Sequence, residues 1–98
     1  MGAYDSDRIM RIGEIDFVGF RFSGGDLPTG VTVASGTVAV VPGTGLTLGS
    51  GTALITSAQD GVYAWLTAVT AGEYDVTFTT TFSDTRKLIR VYRVTVIA

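Results

Sequence analysis

Residues 74–82 read YDVTFTTTF, in which every second residue is Tyr, Val, Phe, Thr and Phe, with Asp and Thr between them. Successive side chains of an extended chain point to opposite sides, so a period of two marks a β-strand with one apolar and one polar face. Tyr74, Val76, Phe78 and Phe82 are expected to face inward, and such a face is stable only under a second layer. The remaining sequence offers strands for that layer. Val, Thr, Phe and Tyr dominate the runs between 13 glycines, with only 2 prolines in the chain, and branched and aromatic side chains suit a pleated surface. No window repeats apolar residues at helical spacing between caps. The chain is therefore read as all-β.

Its 98 residues give room for one domain. Residues 1–11, MGAYDSDRIMR, are polar and mixed in charge and are expected to form a short flexible N-terminal arm, with the domain body over 12–98. Ile9 and Met10 give this arm a little apolar surface with which to clamp a neighbouring subunit. A first strand is expected over 14–22. There Ile15 and Phe17 share one phase and Phe20 and Phe22 the other, so Gly19 reads as a bulge or bend. A second strand over 31–41 slips phase at Ala34-Ser35-Gly36. Residues 41–51 are turn-rich and apolar only at Leu46 and Leu48. Short strands follow over 52–57, 62–68, 73–82 and 86–97, separated by turn signals such as Asp60-Gly61. Six or seven antiparallel strands at this spacing indicate a sandwich or a barrel.

Composition removes several kinds of chemistry. The chain has no cysteine and no histidine, which rules out thiolate and imidazole ligands and the commonest general base. Its net charge of −2 gives no basic footprint for nucleic acid. The N-terminal stretch has no apolar core of a signal peptide, and apolar runs such as 38–41 are far too short to cross a membrane. Most carboxylates sit in turns. PGTG and GSGT lack the lysine and the following helix of a phosphate-binding loop. No catalytic, cofactor or metal residues are assigned.

Two segments carry more specific expectations. In Ala71-Gly72-Glu73-Tyr74-Asp75-Val76, Gly72, Tyr74 and Val76 fit a tyrosine corner, in which a buried tyrosine hydroxyl near a strand start bonds upstream backbone and the residue two further on enters the core. On the last strand, Arg86, Lys87, Arg90 and Arg93 either guard an edge against wrong pairing or form a charged rim for an acidic partner. A bulge near 89–91 would bring Val94 and Val96 to the core. Trp65 is expected in the core or at its rim, with an exposed subunit contact as the alternative. Candidate partner contacts are thus Ile9, Met10, Trp65, Arg86, Lys87, Arg90 and Arg93.

Residues 63–96, YAWLTAVTAGEYDVTFTTTFSDTRKLIRVYRVTV, resemble a family of small tailed-bacteriophage virion proteins with an immunoglobulin-like β-sandwich, of the fibre–tail adaptor or neck-associated kind. The resemblance rests on Trp65-Leu66, Ala71-Gly72, Tyr74 with Val76, the turn Ser83-Asp84-Thr85, and the Arg- and Val-rich stretch 90–96. It covers about a third of the chain. It implies a non-enzymatic structural protein of the virion, present as a homo-oligomer, that decorates or cements the capsid or joins the neck or tail to fibres. Its partners would be capsid, neck or tail proteins, with no nucleic acid, membrane or cofactor. The residues leave a second reading open: a carbohydrate- or receptor-binding sandwich with Tyr63, Trp65 and Tyr92 along one groove.

Overall fold

The computed structural model describes residues 4–98. Among them eight strands form two sheets packed face to face: β1 (Ser6–Arg11), β2 (Ile15–Arg21), β3 (Val33–Val41), β4 (Leu46–Leu48), β5 (Leu54–Ile55), β6 (Gly61–Ala68), β7 (Gly72–Phe82) and β8 (Lys87–Ile97). The first sheet runs β1-β8-β7-β3. The second runs β2-β6-β4, with β5 also pairing β6. The all-β sandwich expected from the alternation is the fold observed.

The core is the space between the sheets. From β7 come Tyr74, Val76, Phe78, Thr80 and Phe82, all buried, with Val94 and Val96 beside them on β8. The facing sheet supplies Val18, Val62, Ala64, Leu66 and Ala68. Aromatic edges lock the layers together. Phe20 meets Phe78 with ring centres 5.7 Å apart, and Phe22 meets Phe82 at 5.1 Å, both edge to face. Each such side chain contributes roughly 1.5–3 kcal/mol by leaving water.

The tyrosine at the start of β7 behaves as a corner. Its hydroxyl donates to the Thr70 carbonyl at 2.7 Å, so its one polar atom is satisfied inside the core. The turn holding Gly45 packs on the same spot. The Gly45 carbonyl accepts from the Val69 and Thr70 amides at 3.0 and 2.9 Å.

Three expectations are corrected here. Ser6–Arg11 is not a flexible arm but strand β1, paired in parallel with β8 from Ser6↔Tyr92 to Arg11↔Ile97. The reason is its partner: β8 offers an edge on the side away from β7, and Met10 beside Val96 is buried in the core. Residues 1–3 of the expected arm lie outside the described residues. β8 is accordingly interior to its sheet over Tyr92–Ile97 and forms an edge only over its first residues. It also needs no bulge. Its register with β7 is unbroken from Gly72↔Val96 to Thr81↔Lys87, which places Arg90 in the same phase as Tyr92, Val94 and Val96. Finally, Leu46–Leu48 forms strand β4, held in the sheet by β6.

The two glycine signals resolve differently. The slip in β3 is real, with a register shift between Val33 and Ser35. At Gly19 there is none: β2 pairs β6 continuously from Ile15↔Thr67 to Arg21↔Gly61. Glycine is needed there because a Cβ would overlap the Val62 carbonyl and lie 2.7 Å from the Tyr63 Cα. The phase change in β2 therefore means that Ile15 and Phe17 point away from the core.

Candidate recognition face on the second sheet

On β6 the inward phase is complete with Val62, Ala64, Leu66 and Ala68, which leaves Tyr63, Trp65 and Thr67 to face outward. On β2 the outward phase is Ile15, Phe17, Gly19 and Arg21. The register sets Phe17 beside Trp65 and Gly19 beside Tyr63, with Leu54 of β5 on the far side of Tyr63. The result is a contiguous apolar face in which Ile15 is 67% exposed, Phe17 and Trp65 47% each, and Leu54 45%. Isolated exposed apolar side chains are ordinary, but a contiguous patch marks an interaction site.

The rings are organised. Phe17 stands edge-on to Trp65, with centroids 5.2 Å apart, and to Tyr63 at 5.7 Å. Beside them lies a groove of about 510 Å³ lined by Gly19 and walled by Phe17, Tyr63 and Trp65, with Arg21 and Thr56 at its polar end. Arg21 carries the one charge on the outward phases of β2 and β6 and pairs with Asp60 at 3.2 Å. Geometrically this is an exposed hydrophobic surface with a charged end.

Asp60 also fixes the turn into β6. The Thr56 hydroxyl donates to its Oδ1 at 2.6 Å, and its own amide donates back to Thr56 Oγ1 at 3.1 Å. The Thr56 hydrogen bond, followed by the Arg21 charge, holds the Asp60 carboxyl below its ordinary value of 3.8. Arg86, chiefly by hydrogen bonding, lowers Asp84 in the same way. A carboxyl depressed on folding stabilises fully above its unfolded value, and that stability is lost as pH falls through the folded value. The urea midpoint is therefore expected to hold from neutral pH to about 4 and fall below that. In Asp60→Asn the acid-side fall should be shallower; an unchanged fall would show that Asp60 is not a source of it.

Each lateral side of the sandwich is covered over part of its length. On one, Arg8 reaches from β1 to the second sheet, pairs with Asp16 and donates to the Phe17 carbonyl at 3.0 Å, while Asp16 accepts from the Phe17 amide at 2.7 Å. The backbone of Phe17 at the free edge of β2 is thus satisfied. On the other side, residues 51–53 cover β3, with Val38 N–H on Gly51 O at 2.9 Å and Ala53 N–H on Gly36 O at 3.0 Å. The covered stretches oppose strand-by-strand association there, while Lys87–Arg90 of β8 pairs only with β7.

The candidate contacts from the sequence scatter. Met10 is 1% exposed and lies in the core, so it is not a surface contact; its neighbour Ile9 points out from the first sheet. Arg93 is held by Asp75 at 2.6 Å and Glu73 at 3.1 Å, with its guanidinium over the Tyr4 ring. Arg86 stacks on Phe82 and donates to the Asp26 carbonyl at 2.7 Å, and Arg90 lies 3.9 Å from the Asp26 carboxylate. These arginines are engaged within the chain; Lys87 is exposed. Only Trp65 belongs to the apolar face. Tyr92 does not join Tyr63 and Trp65 in one groove, because it points into the core against Phe20 at 5.4 Å.

The role of Arg86 can be tested directly. Its removal should loosen the 3₁₀ turn Gly24–Asp26, so that exchange of the Leu27 amide, bonded to Gly24 O, accelerates about tenfold while core amides of β7 are unchanged. Equal protection in Arg86→Ala would show that the turn holds itself.

In the sequence, Ile15, Phe17 and Gly19 inform only the strand phase and Tyr63 only the carbohydrate-groove reading; none of the four is among the candidate partner contacts. The signal was present, since two apolar phases on one strand can mean a bulge or two buried faces, or one buried and one docking face. No protein-family model matches this sequence, and no curated protein is significantly similar to it.

Proposed function

We propose that this chain is a non-enzymatic assembly module that packs against another protein subunit through the outer face of β2 and β6, and that the assembly is the virion of a tailed bacteriophage. The observation that carries the assembly reading is the contiguous Ile15–Phe17–Trp65–Leu54 face, exposed on the outer side of β2, β6 and β5. The virion reading draws on the resemblance of residues 63–96. An immunoglobulin-like arrangement agrees with it. β2, β6 and β4 take the order of strands B, E and D; β3, β7 and β8 that of C, F and G; and Tyr74 and Val76 stand where a tyrosine corner places them. Capsid surface, neck and tail are all positions such a module can occupy.

Mass spectrometry and labelled electron microscopy of purified particles test this reading. The expected result is the chain at fixed stoichiometry and a symmetric position. Particles without it, with the purified protein binding glycans as a monomer, would overturn the reading in favour of carbohydrate recognition. That second reading has its own observation: the groove at Gly19 joins aromatic walls to the polar Arg21 and Thr56.

A further inference from the structure

We propose that two copies of this chain associate face to face through the outer surfaces of β2 and β6, about a two-fold axis lying in the interface and crossing the strands over Phe17 and Trp65. The inference rests on the assembly reading and names the partner of that face. Its first support is shape. A two-fold in this position reverses strand direction and keeps each strand over its counterpart. Phe17 then meets Phe17, and the position two residues before it meets the position two residues after it. Ile15, the most exposed apolar residue of the face, thus lies over Gly19 of the other copy, which lines the groove. The same knob and hole recur on the other side of the axis, as a two-fold interface requires.

Charge and area agree with a second copy. Arg21 stands four residues from the axis, so the two arginines lie at opposite ends, about 25 Å apart at 3.4 Å per residue. That exceeds the screening length of about 8 Å in physiological salt, and each arginine keeps its own Asp60. With aromatic side chains offering about 150–250 Å² each and half of that exposed here, the apolar patch is on the order of 400 Å². Two such patches with their threonine rim approach the low end of specific interfaces, about 1,200 Å² in total. Edge pairing, the usual competing route between sandwiches, is obstructed at Phe17 by Arg8 and along β3 by residues 51–53.

The test is sedimentation equilibrium from about 10 μM to 1 mM, with a dimer constant on the order of 100 μM expected. Fluorescence of the chain's lone tryptophan, Trp65, should shift blue over the same range as it becomes buried. Ile15→Asp, at a position already 67% exposed, should fold normally and weaken the dimer at least about tenfold. Ile89→Asp, equally exposed on the other sheet, should leave it within about twofold. A wild-type monomer at 1 mM, a dimer indifferent to Ile15→Asp, or one weakened equally by Ile89→Asp overturns the proposal. So does a monomer whose Trp65 emission responds instead to added oligosaccharide. A chain found on particles yet monomeric would sink this proposal and spare the virion reading; a dimer in solution absent from particles would do the reverse.

Discussion

Phe78→Ala is expected to lower the unfolding free energy by about 3–5 kcal/mol, the range for truncating a fully buried phenylalanine. Phe78 is 1% exposed at the centre of β7. It supports Phe20 of the facing sheet, which rests in turn on Tyr92 of β8. Its loss removes both the transfer energy of the ring and the contact joining three strands across the core. A chain of this size has about 5–15 kcal/mol in total, so a third or more of the stability goes. At about 4–8 °C per kcal/mol the melting temperature should fall by roughly 12–40 °C. The comparison that gives this meaning is Phe17→Ala. Phe17 also lies in an apolar phase, but at 47% exposure it faces out, and its removal should cost about 1 kcal/mol. Urea titrations of the two variants side by side check the assignment. Equal costs would mean that Phe17 is a core residue and that the outer face has been misassigned.

That pair also shows where the sequence is legible and where it is not. β7 could be read directly because its alternation is long and its outward positions are Asp and Thr, so only one face can be buried. On β6 the small and aliphatic residues Val62, Ala64, Leu66 and Ala68 complete one phase, which was enough to exile Trp65, although a lone tryptophan is ordinarily placed in or near a core. β2 was ambiguous because both its phases are apolar. Register resolves that ambiguity, and register is set by the partner strand. A glycine required by close strand approach looks like one required by a bulge until the pairing is known. β1 was invisible for a related reason: Ser-Asp-Arg-Ile-Met-Arg has little strand character of its own and pairs because β8 offers an edge. The charged residues of β8 seemed to mark a rim, yet Arg86 and Arg90 reach back to the Gly24–Asp26 turn and Arg93 to Asp75. Those partners are distant in sequence, and nothing local announces them.

Gly45→Ala should be the most damaging single-methyl change in the corner, at about 2–5 kcal/mol from backbone strain and overpacking together. Gly45 has φ +96°, where a side chain is disfavoured, and a Cβ there would overlap the Tyr74 hydroxyl and come within 3.1 Å of Thr70 Cβ. Tyr74→Phe alone should cost about 0.5–1.5 kcal/mol, because the Thr70 carbonyl loses its donor. The two changes should not add. Removing the hydroxyl also removes the atom with which the new methyl collides most closely, leaving the ring carbon Cζ and Thr70 Cβ at 3.1 Å each, of which a small ring tilt can relieve the first. The double variant should therefore be more stable than the sum predicts by about 1 kcal/mol. Gly51→Ala, where a Cβ meets nothing within 4 Å, should change stability by less than about 0.5 kcal/mol and controls for glycine replacement as such. Strict additivity in this cycle would mean that the Gly45 turn does not seat on the tyrosine, and that Tyr74 ties down its own connection without binding the turn before β4 to the start of β7.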